Sequence, residues 1–233
     1  MKNLHQNVPY KTVALTKLSY GPTLSILFSR LSNLNLEVNN LDMKRMNVVM
    51  KREIKRNIFH LIFGVVLAYL VLFLGDKPSI VLFGTCIVLG LVVSEIMLRK
   101  IHIPVFSFFI SIMERKDARP GQGAIHFLAG AFIALLFFGT EIVFISLLIL
   151  ALADSFSTIV GIWIGKIKIY KKRTLEGTTA GFIVAFGVCL FYLPVIIALY
   201  ACLVGSIVEL FSPIDDNIAI PPITGVALFI LGV

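Results

Sequence analysis

From residue 57 to its C-terminus the chain is a close succession of hydrophobic runs separated by short polar connections. A helix needs about 20 apolar residues to cross the hydrocarbon core, with a range of about 17–25. The runs predict seven spans, at 57–75, 79–98, 124–139, 141–164, 177–193, 195–211 and 217–233. The third is short. The last carries Pro221 and Pro222 near its start. Pro fits the first helical turn but not deeper positions, so this helix is expected to begin only near Ile220. Ile101–Met113 is too short to cross and reads as an interfacial or re-entrant piece. Hydrophobic residues make up 58% of the chain and charged residues 15%, with mean hydropathy +0.95. Soluble domains lie nearer about 45–50% apolar and about 25% charged. A soluble globular domain, a disordered chain, a collagen and a coiled coil are therefore excluded. The fold class is all-α: a polytopic integral membrane protein of about seven transmembrane helices.

Residues 1–50 are polar and hold no 7–15-residue apolar core of a signal peptide. They are read as a dispensable N-terminal extension, with residues 51–233 forming the transmembrane domain. Cys86, Cys189 and Cys202 are scattered in apolar runs without metal-ligand spacing, so neither a disulfide framework nor a zinc site is expected.

The net charge of +8 is distributed unevenly. From residue 51 onward, 14 Lys/Arg precede the first span or follow the second and fourth, against one, Lys77, in the connections after the first, third and fifth. The positive-inside rule places the N-terminus and these basic segments in the cytoplasm. The expected location is a cell membrane with multiple passes, the endoplasmic reticulum membrane in a eukaryote. No nucleic-acid partner is expected.

Polar residues at membrane depth carry the functional signal, because they are costly there without a purpose or a partner. Asp154 lies eleven residues before Gly165, roughly 16 Å along a regular helix. Asp154, Thr158, Gly161 and Gly165 follow i, i+4, i+7, i+11 and share one face. A polar ligand or another backbone can approach such a face. The plainer alternative is GxxxG packing, with Asp154 bonded to a neighbouring helix.

The segment Gly165-Lys-Ile-Lys-Ile-Tyr-Lys-Lys-Arg-Thr-Leu-Glu-Gly-Thr-Thr179 joins a basic run to an acid, a glycine and two threonines at a helix start. Phosphate binding uses cations, close backbone approach and free N–H groups of this kind. The candidates are Lys171, Lys172, Arg173, Thr174, Gly177 and Thr178. Glu176 suits a Mg2+ ion bridging phosphates. Glu209, Asp215 and Asp216 put three carboxylates between the last two spans. Glu209 opposes the helix dipole in its last turn, which suggests a cation, whereas Asp215 and Asp216 could instead cap the last helix. His60 shares a face with Arg56 and Gly64, and a Gly-rich, charged stretch leads to His126. Glu95 and Arg99 read as a plain i,i+4 pair. All these groups fall on the cytoplasmic side, which suggests a soluble anionic substrate arriving there and an apolar one supplied by lipid.

At these residues the sequence resembles the CTP-dependent polyprenol kinases, the dolichol kinase and phytol kinase family. The resemblance rests on Ala153-Asp154 with Gly161 and Gly165, on Lys172-Arg173-Thr174-Leu175-Glu176-Gly177-Thr178, on Glu209, on Asp216-Asn217 followed by Pro221-Pro222, and on Arg56-Asn57-Ile-Phe-His60. It covers roughly residues 51–233. Asn57 stands where the family has Lys, and Ser155 where Ala is common.

The resemblance implies transfer of the γ-phosphate of CTP to the hydroxyl of an isoprenoid lipid alcohol, with Mg2+ as the divalent metal. Asp154 and Glu176 would be catalytic. Asp154, Glu176, Glu209, Asp215 and Asp216 would serve the metal. The basic loop and Gly161, Gly165 and Gly177 would serve the nucleotide, and Arg56, His60 and Asn217 are further candidates. The residues themselves suggest Asp154 as general base, since depth should place it near a lipid hydroxyl. CTP-dependent diacylglycerol kinase, CMP transfer to a lipid phosphate as in phosphatidate cytidylyltransferases, and a transporter with Asp154 as its ion site remain alternatives.

Overall fold

A computed structural model describes residues 22–99, 101, 119–170 and 173–233. The chain divides into two compact units, Met1–Lys51 and Arg52–Val233, and the second carries the site. Seven helices occur among the described residues: α1 (Pro22–Leu74), α2 (Asp76–Leu98), α3 (Gln122–Phe137), α4 (Thr140–Ile164), α5 (Leu175–Cys189), α6 (Val195–Phe211) and α7 (Asp216–Ile230). A short antiparallel hairpin, β1 (Lys168–Tyr170) with β2 (Arg173–Thr174), links α4 to α5. The protein is all-α. The segment read as interfacial lies, apart from Ile101, outside the described residues.

Among the described residues three stretches are long and apolar enough to cross a membrane: Val48–Leu74, Asp76–Leu98 and Thr140–Ile164. The other four apolar helices have 15 to 17 residues, or about 22–26 Å at 1.5 Å per residue. α1 begins far earlier than the span expected at 57. Pro22 suits a first helical position, and no Gly or Pro follows until Gly64, so nothing local stops the helix.

α4 is the axis of the second unit. Ile142 to Ala153 are all buried, as expected of a helix apolar on every side. α3, α5, α6 and α7 pack around it. α2 buries only Ser79 and Phe83 and leaves Val81, Val88, Leu89, Leu91 and Val92 exposed. Apolar exposure on that scale marks a surface made for lipid or a partner.

The α4–α5 contact is made by small residues. A Cβ on Gly181 would strike the carbonyl oxygen of Ala153, and one on Gly177 would strike that of Ser157. Small residues let two helix backbones approach this closely. The seam seats the start of α5, and the Arg173 just before it, against the middle of α4.

The last helix begins at Asp216, not near Ile220, and runs through both prolines. Asp215 caps it, its side chain accepting from the backbone N–H of Asn217 at 3.1 Å. Pro221 lacks the N–H that would bond the Asn217 carbonyl. That oxygen lies over Gly130 of α3, in the space a Cβ would fill. Packing against another helix thus accommodates the proline. At the opposite end from the charged site, Asp76 accepts from the Thr140 N–H at 2.8 Å, and the Tyr69 and Tyr192 hydroxyls meet at 2.6 Å.

Gly130→Val should lower the melting temperature of the detergent-purified protein, at a cost of about 1–3 kcal/mol for overpacking. Gly187 has nothing within 4 Å of a built Cβ. Gly187→Ala should therefore leave the melting temperature unchanged or raise it, since Gly in a helix costs about 0.5–1 kcal/mol relative to Ala.

Candidate active site

The hairpin carries Arg173 into a group of carboxylates drawn from three helices. Its Nη2 donates to Asp154 Oδ1 of α4 at 2.9 Å and to Asp216 Oδ2 of α7 at 2.5 Å. Its Nη1 donates to Thr158 Oγ1 at 3.1 Å and lies 2.6 Å from Glu209 Oε1 of α6. The predicted face of Asp154 and Thr158 is therefore real, and what it receives is this guanidinium. Charge-assisted contacts to several acceptors at once suit the planar, many-donor fork of Arg. Burial would lower the Arg173 pKa, but the attraction of Asp154, Glu209 and Asp216 outweighs it and raises the value further.

Glu209 is the most enclosed member, its side chain 1% exposed, against 18% for Asp154 and 25% for Asp216. Three carboxylates thus face one guanidinium. Ionised, they leave a surplus of two negative charges, an expensive state away from water. The group calls for further positive charge or for protons.

Two histidines flank it. His60 Nε2 lies 3.7 Å from Asp154 Oδ2, and its ring sits edge-on to Phe127 with centroids 5.5 Å apart. His126 Nδ1 lies 3.3 Å from Asp215 Oδ2. Asp154 Oδ1 is engaged by Arg173, and no hydrogen bond to Oδ2 occurs among the described residues.

The remaining candidates fall into separate places. Glu176 is not brought to the acid group. Its carboxylate accepts from the Lys166 N–H at 3.0 Å and the Ile167 N–H at 3.2 Å, closing the base of the hairpin. Hydrogen bonds from its own N–H and from Lys166 and Ile167 hold its carboxyl below the usual carboxylate range. The expectation that Glu176 joins Asp154 at one metal ion is corrected accordingly: the first turn of α5 aims it at the loop.

Gly161, Gly165 and Gly177 make room for the chain itself. Thr174 Oγ1 lies 3.0 Å from a Cβ built on Gly161, and Thr174 also closes on Gly165. The space expected to admit a nucleotide is taken by Thr174 and Gly177. Thr174 also caps α5, accepting from the Gly177 N–H at 3.2 Å.

Thr178 Oγ1 and Asn217 Oδ1 are buried with no hydrogen-bond partner among the described residues. Arg56 pairs with Glu53 at 2.8 Å, while Asn57 is buried and donates to the Glu53 carbonyl at 2.8 Å. Glu95 and Arg99 form their expected pair at 3.4 Å. Lys171 and Lys172 lie outside the described residues.

Sequence reasoning put Thr158 on the face of Asp154 and His126 at the end of a charged stretch, but gave neither a role at the site. The i+4 spacing from Asp154 was a signal for Thr158. For His126 no local signal exists, because its partner Asp215 is 89 positions away.

Fold and site together define an all-α protein with long apolar helices and a part-buried Arg–carboxylate cluster drawn from three of them. The chain is 34% identical over 175 residues to the uncharacterized protein MJ1137 of Methanocaldococcus jannaschii, an alignment covering 73% of this chain and 89% of that protein. It belongs to the same family as MJ1137. No family model matches the chain, and no solved structure does.

Arg173→Gln should destabilise the protein by about 3–5 kcal/mol, because it leaves buried carboxylates unpartnered. Thermal unfolding in detergent measures this. Adding Glu209→Gln to that variant should recover part of the loss. A strictly additive double mutant would show that the two side chains do not interact.

Proposed function

We propose that this protein is a membrane-embedded kinase that transfers the γ-phosphate of CTP to the hydroxyl of an isoprenoid lipid alcohol at the cytoplasmic face. The observation that carries the reading is the meeting of Asp154, Glu209 and Asp216 at Arg173, where a basic hairpin enters among the apolar helices. Phosphoryl transfer asks a protein mainly for positioning and for charge to balance the phosphate oxygens. A surplus of acids next to cations provides both kinds of partner.

The lipid alcohol would enter from the hydrocarbon side, with its hydroxyl at the depth of Asp154. Asp154 Oδ2, without a hydrogen bond of its own among the described residues, suits the role of base for that proton. Arg173, with Lys171 and Lys172 of the same loop, would face the phosphates. The name of CTP comes from the family resemblance.

A divalent metal fits the donor chemistry. Asp154, Glu209 and Asp216 offer hard oxygen ligands, and their two surplus charges match Mg2+. Among the described residues no group of three is already arranged around a metal position, because the guanidinium occupies the point of convergence. Asp215 flanks this set, and Glu176 is kept as a support of the loop. Mg2+ would supply neutralisation of the phosphate oxygens.

The same reading takes all seven helices as crossings, with the N-terminus and the hairpin in the cytoplasm and the protein resident in a cell membrane. Its support is the charge asymmetry of the connections together with the gathering of the charged groups at one end of the bundle. The shortness of α3, α5, α6 and α7 would bring water and nucleotide to a site below the membrane surface.

Purified protein in lipid vesicles with labelled CTP or ATP and a panel of lipid alcohols should produce lipid phosphate and release CDP. Release of pyrophosphate would instead indicate CMP transfer. Asp154→Asn should reduce transfer by roughly 10²–10⁴-fold, the usual scale for a lost general base, while the protein still inserts. Retained turnover in that variant removes Asp154 from the chemistry.

For topology, Lys77→Cys and Lys166→Cys in a background without the native cysteines should react with an impermeant thiol reagent from opposite sides. Labelling from one side only would refute the seven-span arrangement.

A further inference from the structure

The hairpin between α4 and α5 has a second face that the acid cluster does not use. Its base is held firmly. The Glu176 carboxylate takes the N–H groups of Lys166 and Ile167, and the Leu175 N–H donates to the Ile167 carbonyl at 2.8 Å. Strand pairing matches Lys168 with Thr174 and Tyr170 with Arg173. Among its described residues Arg173 and Thr174 turn inward, whereas Lys166, Ile167, Lys168, Ile169 and Tyr170 are exposed.

A lone two-stranded hairpin is marginal in water and needs cover on one side. The exposed residues here are unsuited to water alone. Ile167 is 56% exposed and Ile169 42% exposed, and Trp163 at the end of α4 is 72% exposed. The Tyr170 ring lies 6.0 Å from that of Phe211, which is itself exposed at the end of α6. Lysines alternate with these apolar side chains, and Lys171 and Lys172 continue the run in the sequence. No acid occurs from Gly165 to Leu175.

Apolar and aromatic side chains interleaved with lysine, next to the end of a span-length apolar helix, match the boundary between acyl chains and headgroups. Trp and Tyr settle at that level. Lys buries its stem there and keeps its ammonium among phosphates, and basic segments are drawn to anionic lipid.

We propose that Lys166, Ile167, Lys168, Ile169 and Tyr170 form a docking surface for an anionic phospholipid leaflet, independent of the catalytic reading. The leaflet would cover the exposed side of these residues. Because Arg173 sits on the partner strand, the docked surface also holds the guanidinium at its depth among the carboxylates.

The test uses the full chain reconstituted in vesicles. Trp163 is the only tryptophan, so Trp163→Phe combined with Tyr170→Trp places a single fluorophore on the hairpin. Vesicles of phosphatidylcholine alone are compared with vesicles that also contain phosphatidylglycerol, each with and without brominated acyl chains. The expected result in anionic vesicles is a blue-shifted emission with strong quenching by the brominated lipid. Both effects should weaken in phosphatidylcholine alone, in high salt, and after Lys166→Gln with Lys168→Gln.

Equal emission and quenching in neutral and anionic vesicles overturns the proposal. So does indifference to the two lysine substitutions, or a signal that responds to added CTP and not to lipid. Since the readout is fluorescence and not turnover, its failure leaves the kinase reading standing, and failure of the kinase reading leaves the docking surface standing.

Discussion

One guanidinium organises this end of the molecule. Arg173 reaches Asp154 on α4, Glu209 on α6 and Asp216 on α7 at 2.5–2.9 Å. Without it three carboxylates would face each other in a largely buried space, where like charges repel strongly and solvation is poor. The middle of α4 and the ends of α6 and α7 meet around this cation. The cost of placing it there is offset by local structure: the small-residue seam of α4 and α5, the Thr174 cap and the Glu176 clamp on the hairpin all aim the same residue.

That arrangement changes what the glycine-rich stretches mean. Gly161, Gly165 and Gly177 suggest, as sequence, a backbone opened for a ligand. In the fold they admit Thr174 and the first turn of α5. Their contribution to the site is indirect, since the close approach they permit is what carries Arg173 to the depth of Asp154. Glu176 is similar. It has the residue type of a metal ligand, yet its orientation makes it an anchor for the N–H groups of Lys166 and Ile167.

Much of the architecture was legible in the hydrophobic pattern. The expected spans at 79–98, 141–164 and 195–211 lie close to α2, α4 and α6, because a long apolar run bounded by charges has few other solutions. Boundaries failed where the deciding force was not local. α7 starts before its prolines because Gly130, on another helix, makes room for the Asn217 carbonyl that Pro221 leaves unbonded. α1 starts early because no Gly or Pro stands between Pro22 and Gly64. The hairpin was hidden because its strands are too short to show a period of two.

The sequence alone determined the apolar helices, the charged and uncharged connections, and the inventory of acids, cations and glycines at one end of them. Those features follow from composition and spacing, which act over a few residues. Only the tertiary structure decided that Arg173 is the partner of the acids, that Glu176 is not among them, and that His126 stands beside Asp215. These pairings join residues 19 to 89 positions apart, and contact at 2.5–3.3 Å depends on how the helices pack together. No local pattern along the chain encodes that choice.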